Sequence, residues 1–150
     1  MRVKCLFVLL AVFGLINCAV AQEKVITADS FPKKYTIENC INQLHVDQAT
    51  KTAVGYQYWF IPQGMLADGL TVKMSVVAPG GATHPPHHHA GDEIFYVLEG
   101  TAQFYLNGKT ITGGPNTSFY CPENSEHGIS NAGKTEPKYL VIRKYLDNEK

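Results

Sequence analysis

Arginine is nearly missing from this chain, occurring only at Arg2 and Arg143. Lysine and arginine together number 13, against 13 aspartates and glutamates, so the formal net charge is zero. Without an excess of positive charge there is no bulk attraction for a phosphate backbone, and nucleic acid is not an expected partner. Cysteine is sparse as well. Of four, Cys5 and Cys18 lie near the N-terminus, and Cys40 and Cys121 stand far apart with no framework spacing around them. That pattern excludes a disulfide-stapled scaffold and a cysteine-rich zinc module, and leaves Cys40 and Cys121 either as a pair in an oxidising compartment or as free thiols. Cys121 precedes Pro122 at what reads as a strand end, which is no context for a nucleophile. No ten-residue window has a helical period, no glycine-rich phosphate loop occurs, and there is no internal repeat. Helical bundles, nucleotide-driven enzymes and solenoids are thereby set aside.

What is present begins with a leader. Arg2 and Lys4 precede the apolar run Leu6 to Ile16, and Ala19-Val20-Ala21 follows as a small-x-small cleavage site, the order of a secretory signal peptide over residues 1–21. The apolar run is broken by Asn17 and is shorter than the roughly 20 residues needed to span a bilayer, so no transmembrane anchor is expected. Lipid attachment at Cys18 would require a small residue before it, where Asn17 stands. The mature chain is therefore expected outside the cytoplasm, periplasmic or secreted, with 11 basic and 13 acidic side chains. At 150 residues in all, it has room for one domain.

Residues 22–53 are polar and weakly patterned, with turns at Phe31-Pro32-Lys33-Lys34 and Asp47-Gln48-Ala49-Thr50. They read as an N-terminal extension able to cover or exchange a sheet edge. From Val54 the texture changes to short β-branched and aromatic runs punctuated by Gly, Pro and Asn, the pattern of an all-β domain over residues 54–150 with little helix. Strands are expected at Val54–Ile61, Leu70–Ala78, Glu93–Leu98, Thr101–Leu106, Lys109–Thr112, Ser118–Cys121 and Lys138–Leu146. Leu70, Val72, Met74 and Val76 alternate with Thr71, Lys73 and Ser75, which predicts one buried face and one more polar. Asn107-Gly108 is a type I′ hairpin turn. Aromatic residues Tyr56 to Phe60 are expected mainly as core.

Five of the six histidines fall between positions 84 and 127. On an extended chain His87 and His89 face one side while His88 faces the other. Glu93 follows the Gly91-Asp92 turn, where the next strand can return its carboxylate to the same point, and Pro85-Pro86 stiffens the approach. Two imidazoles and a carboxylate make half of a metal site, and His127, at the start of another β-type run, is a plausible fourth ligand. Such a set suits one divalent ion of Zn, Fe, Ni, Mn or Cu and leaves positions open for water or substrate. His84 and His88 read as loop side chains, and Asp92 and Glu126 as solvent-facing. Phe95, Val97, Ala102, Phe104 and Leu106 share a phase and would wall the site, with Phe95 and Phe104 as pocket residues. Arg143 is either a surface cation or, if it points inward, a pocket residue able to grip a carboxylate.

These two segments resemble the paired motifs of the cupin family. Gly81, His87, His89, Glu93 and Gly100 meet every position of the first motif; Pro122, His127 and Asn131 meet the second, with Asn116 and Asn124 where that motif has glycine. Asparagine tolerates positive φ next best after glycine, so those turns are expected to survive. The resemblance implies a small jelly-roll β-barrel, possible pairing into a homodimer, and one of three functions. These are a metal-dependent isomerase, epimerase or ring-opening enzyme acting on a sugar or uronate derivative; a metal-dependent dioxygenase; or a non-enzymatic module binding a small ligand.

Overall fold

The computed structural model describes residues 35–145. The leader over residues 1–21, the Cys18 alternative, the turn at Phe31-Pro32-Lys33-Lys34 and the expected strand end at Leu146 lie outside the described residues. Among the described residues nine strands follow one another: β1 (Thr50–Thr52), β2 (Gly55–Ile61), β3 (Leu70–Val77), β4 (Glu93–Glu99), β5 (Ala102–Leu106), β6 (Lys109–Gly113), β7 (Ser118–Cys121), β8 (His127–Asn131) and β9 (Lys138–Lys144). Helix among the described residues is limited to one 3₁₀ turn, Val46–Gln48, so none is long and apolar enough to cross a membrane.

All strand pairs are antiparallel, in a six-stranded sheet of order β1-β2-β3-β9-β4-β7 and a three-stranded sheet of order β6-β5-β8. Asn107 and Gly108 sit at φ 45° and 85°, closing the β5–β6 hairpin with Leu106 opposite Lys109. Asn116 and Asn124 take φ 64° and 58°, so asparagine does adopt the left-handed conformation at the two motif positions where glycine is replaced. Gly100, at φ +74°, could not be replaced so easily: an added Cβ would lie 2.7 Å from the Pro137 Cα.

The core fills the space between the sheets with Val77, Phe95, Val97, Ala102, Phe104, Phe119, Cys121, Ile129, Tyr139 and Val141, and Leu106 packs against it. Phe95 meets Tyr139 and Phe104 edge-on at 5.9 and 6.1 Å, and Phe104 stacks on Phe119 at 4.9 Å. Each such buried side chain contributes roughly 1.5–3 kcal/mol of transfer free energy. Asn131 fastens one end of this core. Its amide nitrogen donates to the carbonyls of Val77 (2.9 Å) and Thr135 (3.0 Å), and its oxygen accepts from the Gly133 amide at 2.7 Å.

Three expectations change. Strands β1 and β8 were not among those expected; β1 replaces the turn expected to run through Thr50 and forms the edge of the large sheet. Tyr56 to Phe60 are half-buried and outside the core cluster, because β2 lies near the sheet edge, where only part of each ring is covered. In β3 the more polar set turns inward. Thr71, Lys73 and Ser75 are in phase with core Val77, and Thr71 and Ser75 stand opposite Arg143 and Tyr139; both are 1% exposed. Met74 and Val76 are buried on the opposite face, near which the Tyr58 hydroxyl donates to the Gln43 carbonyl at 2.9 Å.

Candidate metal centre

The loop between β3 and β4 lies alongside β8 and pairs with it at two points, Ala82 with Ser130 and His87 with His127. The second is a reciprocal hydrogen-bonded pair: His87 N–H donates to His127 O at 3.0 Å and His127 N–H to His87 O at 2.8 Å. Directly opposed residues in such a pair project on the same side. His89 follows two positions later, its carbonyl held by the Asn124 amide at 2.8 Å. Three imidazoles thereby converge, with ring centroids 5.4 Å apart for His87 and His89, 4.8 Å for His87 and His127, and 4.7 Å for His89 and His127. One ring nitrogen from each lies within 4.8 Å of those of the other two. Glu93, the first residue of β4, brings its Oε2 to 3.2 Å from His127 Nε2 and 3.7 Å from His89 Nε2.

Electrostatics show what this cluster lacks. His127 is fully buried, and its Nδ1 faces the Ser125 carbonyl at 2.8 Å. A carbonyl only accepts, so Nδ1 carries the proton and Nε2 turns its lone pair toward a carboxylate. Two acceptors at that distance require a cation between them or a second proton on the ring. Burial pushes the His127 pKa down, but hydrogen bonds to Glu93 and Ser125 hold it above the ordinary value, the direction that favours the second proton. Burial would raise Glu93, yet the His127 hydrogen bond and the charges of His89, His127 and Arg143 leave it lowered. His87 is pushed down to about 4, chiefly by burial and then by His84 and His127. His89 is lowered by burial and by Arg143. Nδ1 of His87 and both ring nitrogens of His89 are buried without a hydrogen-bond partner. Unmet neutral imidazole nitrogens around a carboxylate fit a divalent metal, with His127 already oriented by its outer hydrogen bond.

His84 and His88 are exposed; the His84 ring meets His87 edge-on at 4.3 Å. Asp92 and Glu126 are also exposed, Asp92 accepting from the Tyr120 hydroxyl and Glu126 from the Tyr105 hydroxyl. Of the expected pocket residues, Phe95 lies 6.4 Å from the His127 ring. Phe104, opposite Ile129 rather than His127, sits one layer deeper. Arg143 stands opposite Glu93 across the β4–β9 pairing and in phase with core residues Tyr139 and Val141, so it points inward, beside the cluster.

One neighbour of the cluster and one inward-facing cation are absent from the sequence-based set. Cys121, opposite Glu93 in β7, is buried and not bridged to the exposed Cys40. Burial and the Glu93 charge raise its pKa. Lys73 shares the inner face of β3, its Nζ 4.9 Å over the Trp59 ring. Strand alternation could have flagged Lys73; Cys121 depended on the β4–β7 register.

Residues 73–143 match the family model of the cupin domain. The chain is 35% identical over 72 residues to a mannose-1-phosphate guanylyltransferase of Klebsiella pneumoniae, covering 48% of this chain and 15% of that one. It is 31% identical over 65 residues to the oxalate-binding protein of Thermotoga maritima, covering 43% and 54%. The chain thus spans a small part of the first relative and about half of the second. A cupin 2 conserved barrel domain protein from Salinispora arenicola shares the fold with a TM-score of 0.60 at 18% identity, over 73% of this chain and 91% of that one.

Proposed function

Since the chain carries a cupin domain, we propose that it is an exported, metal-dependent enzyme acting on a small oxygenated molecule that bears a carboxylate, such as a uronate derivative, by isomerisation, epimerisation or ring opening. One observation supports this reading: Arg143 pairs with Glu93 in the β4–β9 register, and its charge acts on His89 and His127. A divalent ion held by His87, His89, Glu93 and His127 supplies Lewis-acid polarisation of a bound carbonyl or hydroxyl. Arg143 offers a planar donor pair for a substrate carboxylate beside those ligands. Phe95 and the apolar layer beneath it exclude water from the floor, which strengthens each charge interaction above. Export rests on the order of Arg2, Lys4, Leu6–Ile16 and Ala19-Val20-Ala21.

The test is turnover. Protein reconstituted with each divalent metal is incubated with unsaturated uronates and with aldoses and followed by proton NMR under air and under nitrogen. The expected result is a metal-dependent product at equal rates in both, with Arg143→Met raising KM for the uronate more than it lowers kcat. No turnover across the panel defeats the proposal, and obligatory oxygen uptake would replace it with a dioxygenase. A binding module is the second reading, favoured by the likeness to an oxalate-binding protein. Calorimetry showing tight, metal-dependent oxalate binding with no product would establish it.

A further inference from the structure

Beside Glu93 lies a donor that the four-residue set leaves out. Cys121 stands opposite Glu93 in the β4–β7 register, so both side chains leave the sheet on the same face. The Cys121 Sγ, a Glu93 carboxylate oxygen and a His127 ring nitrogen all lie within 4.8 Å of one another. This trio shares His127 with the trio formed by His87, His89 and His127. Two donors bound to one ion at about 2.0–2.3 Å are at most about 4.6 Å apart, so the separations within both trios approach those of a single centre. An independent observation marks the same point. The His89 side chain is only 6% exposed and faces Glu93 Oε2 at 3.7 Å, yet neither of its ring nitrogens has a hydrogen-bond partner.

We propose that Cys121 is a fifth protein donor to the metal of this centre, biasing it toward thiolate-accepting ions such as Zn(II), Co(II) and Cu over Mn(II). The inference rests on the metal-centre reading above. Ligation replaces the S–H bond with an S–metal bond and the proton leaves to water; no oxidation state changes. Thiolate is the softest donor available to the chain, and one such ligand among imidazoles shifts preference along the first-row metals. His127 belongs to both trios and Glu93 Oε2 also faces His89 Nε2 at 3.7 Å, so the sulfur enters the same centre and does not create a second one.

The experiment titrates Co(II) into the full mature chain carrying Cys40→Ser, which removes the exposed thiol, and into the same chain with Cys121→Ala added. In the first, d–d bands are expected together with a thiolate-to-cobalt charge-transfer band in the near ultraviolet. In the second, the d–d bands persist, the charge-transfer band is lost, Zn(II) affinity falls by at least about tenfold, and Mn(II) affinity is unchanged. X-ray absorption at the metal edge of the wild-type protein needs no cavity-forming variant and should find a sulfur scatterer. Cobalt d–d bands with neither a thiolate transition nor a sulfur scatterer overturn this inference and leave the metal centre standing. Failure of the wild-type chain to take up Co(II) or Zn(II) overturns the metal reading and this inference with it.

Discussion

Replacing His127 separates two roles that the structure gives one ring. His127 is fully buried, its Nδ1 2.8 Å from the Ser125 carbonyl and its Nε2 3.2 Å from Glu93. In the metal-free protein His127→Ala leaves Glu93, 6% exposed, without its strongest partner. Removing one member of a buried pair costs about 3–5 kcal/mol, which for a domain of this size lowers Tm by about 10–20 °C. His127→Gln retains an N–H that can reach the carboxylate, so its cost should be nearer about 1–2 kcal/mol. An amide is nonetheless a poor ligand for a transition metal. Elemental analysis of protein purified without added metal should therefore find metal in the wild type and almost none in either variant, while thermal melts of the stripped proteins rank wild type above Gln above Ala. Full metal occupancy in His127→Ala would refute its role as a ligand. A stripped Ala variant as stable as the wild type would refute the buried-pair reasoning.

Acid should act on the stripped protein through the same cluster. His87, lowered to about 4, and His89, also lowered, stay neutral in the fold while the unfolded chain takes up protons below about 6.5. The stability they contribute is fully present above about 6.5 and is lost as pH falls toward the folded values; His127, raised, acts in the opposite sense, its contribution being lost as pH rises through its folded pKa. Urea midpoints should drop between pH 7 and pH 4.5, and His87→Gln should flatten that drop; an identical slope in the variant would show that the cause lies elsewhere. Asn131→Ala removes three hydrogen bonds joining β8 to the end of β3 and to the β8–β9 loop, for a loss of about 3 kcal/mol. Metal content should be unchanged, as measured by melting and elemental analysis together, and a loss of metal without a loss of stability would place Asn131 at the centre itself.

The half of the site written in neighbouring residues was readable without coordinates. His87 and His89 share a side because extended chain alternates, and Glu93 returns because a bend at Ala90-Gly91 leads into β4. The hairpin at Asn107-Gly108 and the positive φ of Asn116 and Asn124 were equally local. Pairings between distant strands were not. That Arg143 and Cys121 flank Glu93 follows from the β9-β4-β7 order, which no property of the isolated segments specifies. β1 escaped notice because a three-residue edge strand of Thr and Lys carries no apolar alternation. His127–Asn131 showed its β-type run, but its first, second and last residues, His127, Gly128 and Asn131, are buried for ligand geometry, backbone approach and hydrogen bonding, so apolar patterning could not set its bounds.

β3 shows why the remaining error had a direction. Alternation of Leu70, Val72, Met74 and Val76 with Thr71, Lys73 and Ser75 was read by the rule that apolar means inside. That rule holds where the interior is only a core. In this barrel the interior is divided: toward Val77, Val97 and Ala102 it is packed and apolar, while toward Glu93 and Arg143 it accommodates charged groups and their partners. Thr71 turns inward because its hydroxyl has the Arg143 carbonyl to donate to at 3.0 Å, and Lys73 because the Trp59 ring lies beneath its ammonium. The apolar face is then left to the outside of the sheet, where Met74 and Val76 are still buried. A strand whose polar residues are the more deeply partnered ones thus faces a polar part of the interior, and in β3 this inversion marks the side of the barrel that Thr71 shares with Arg143.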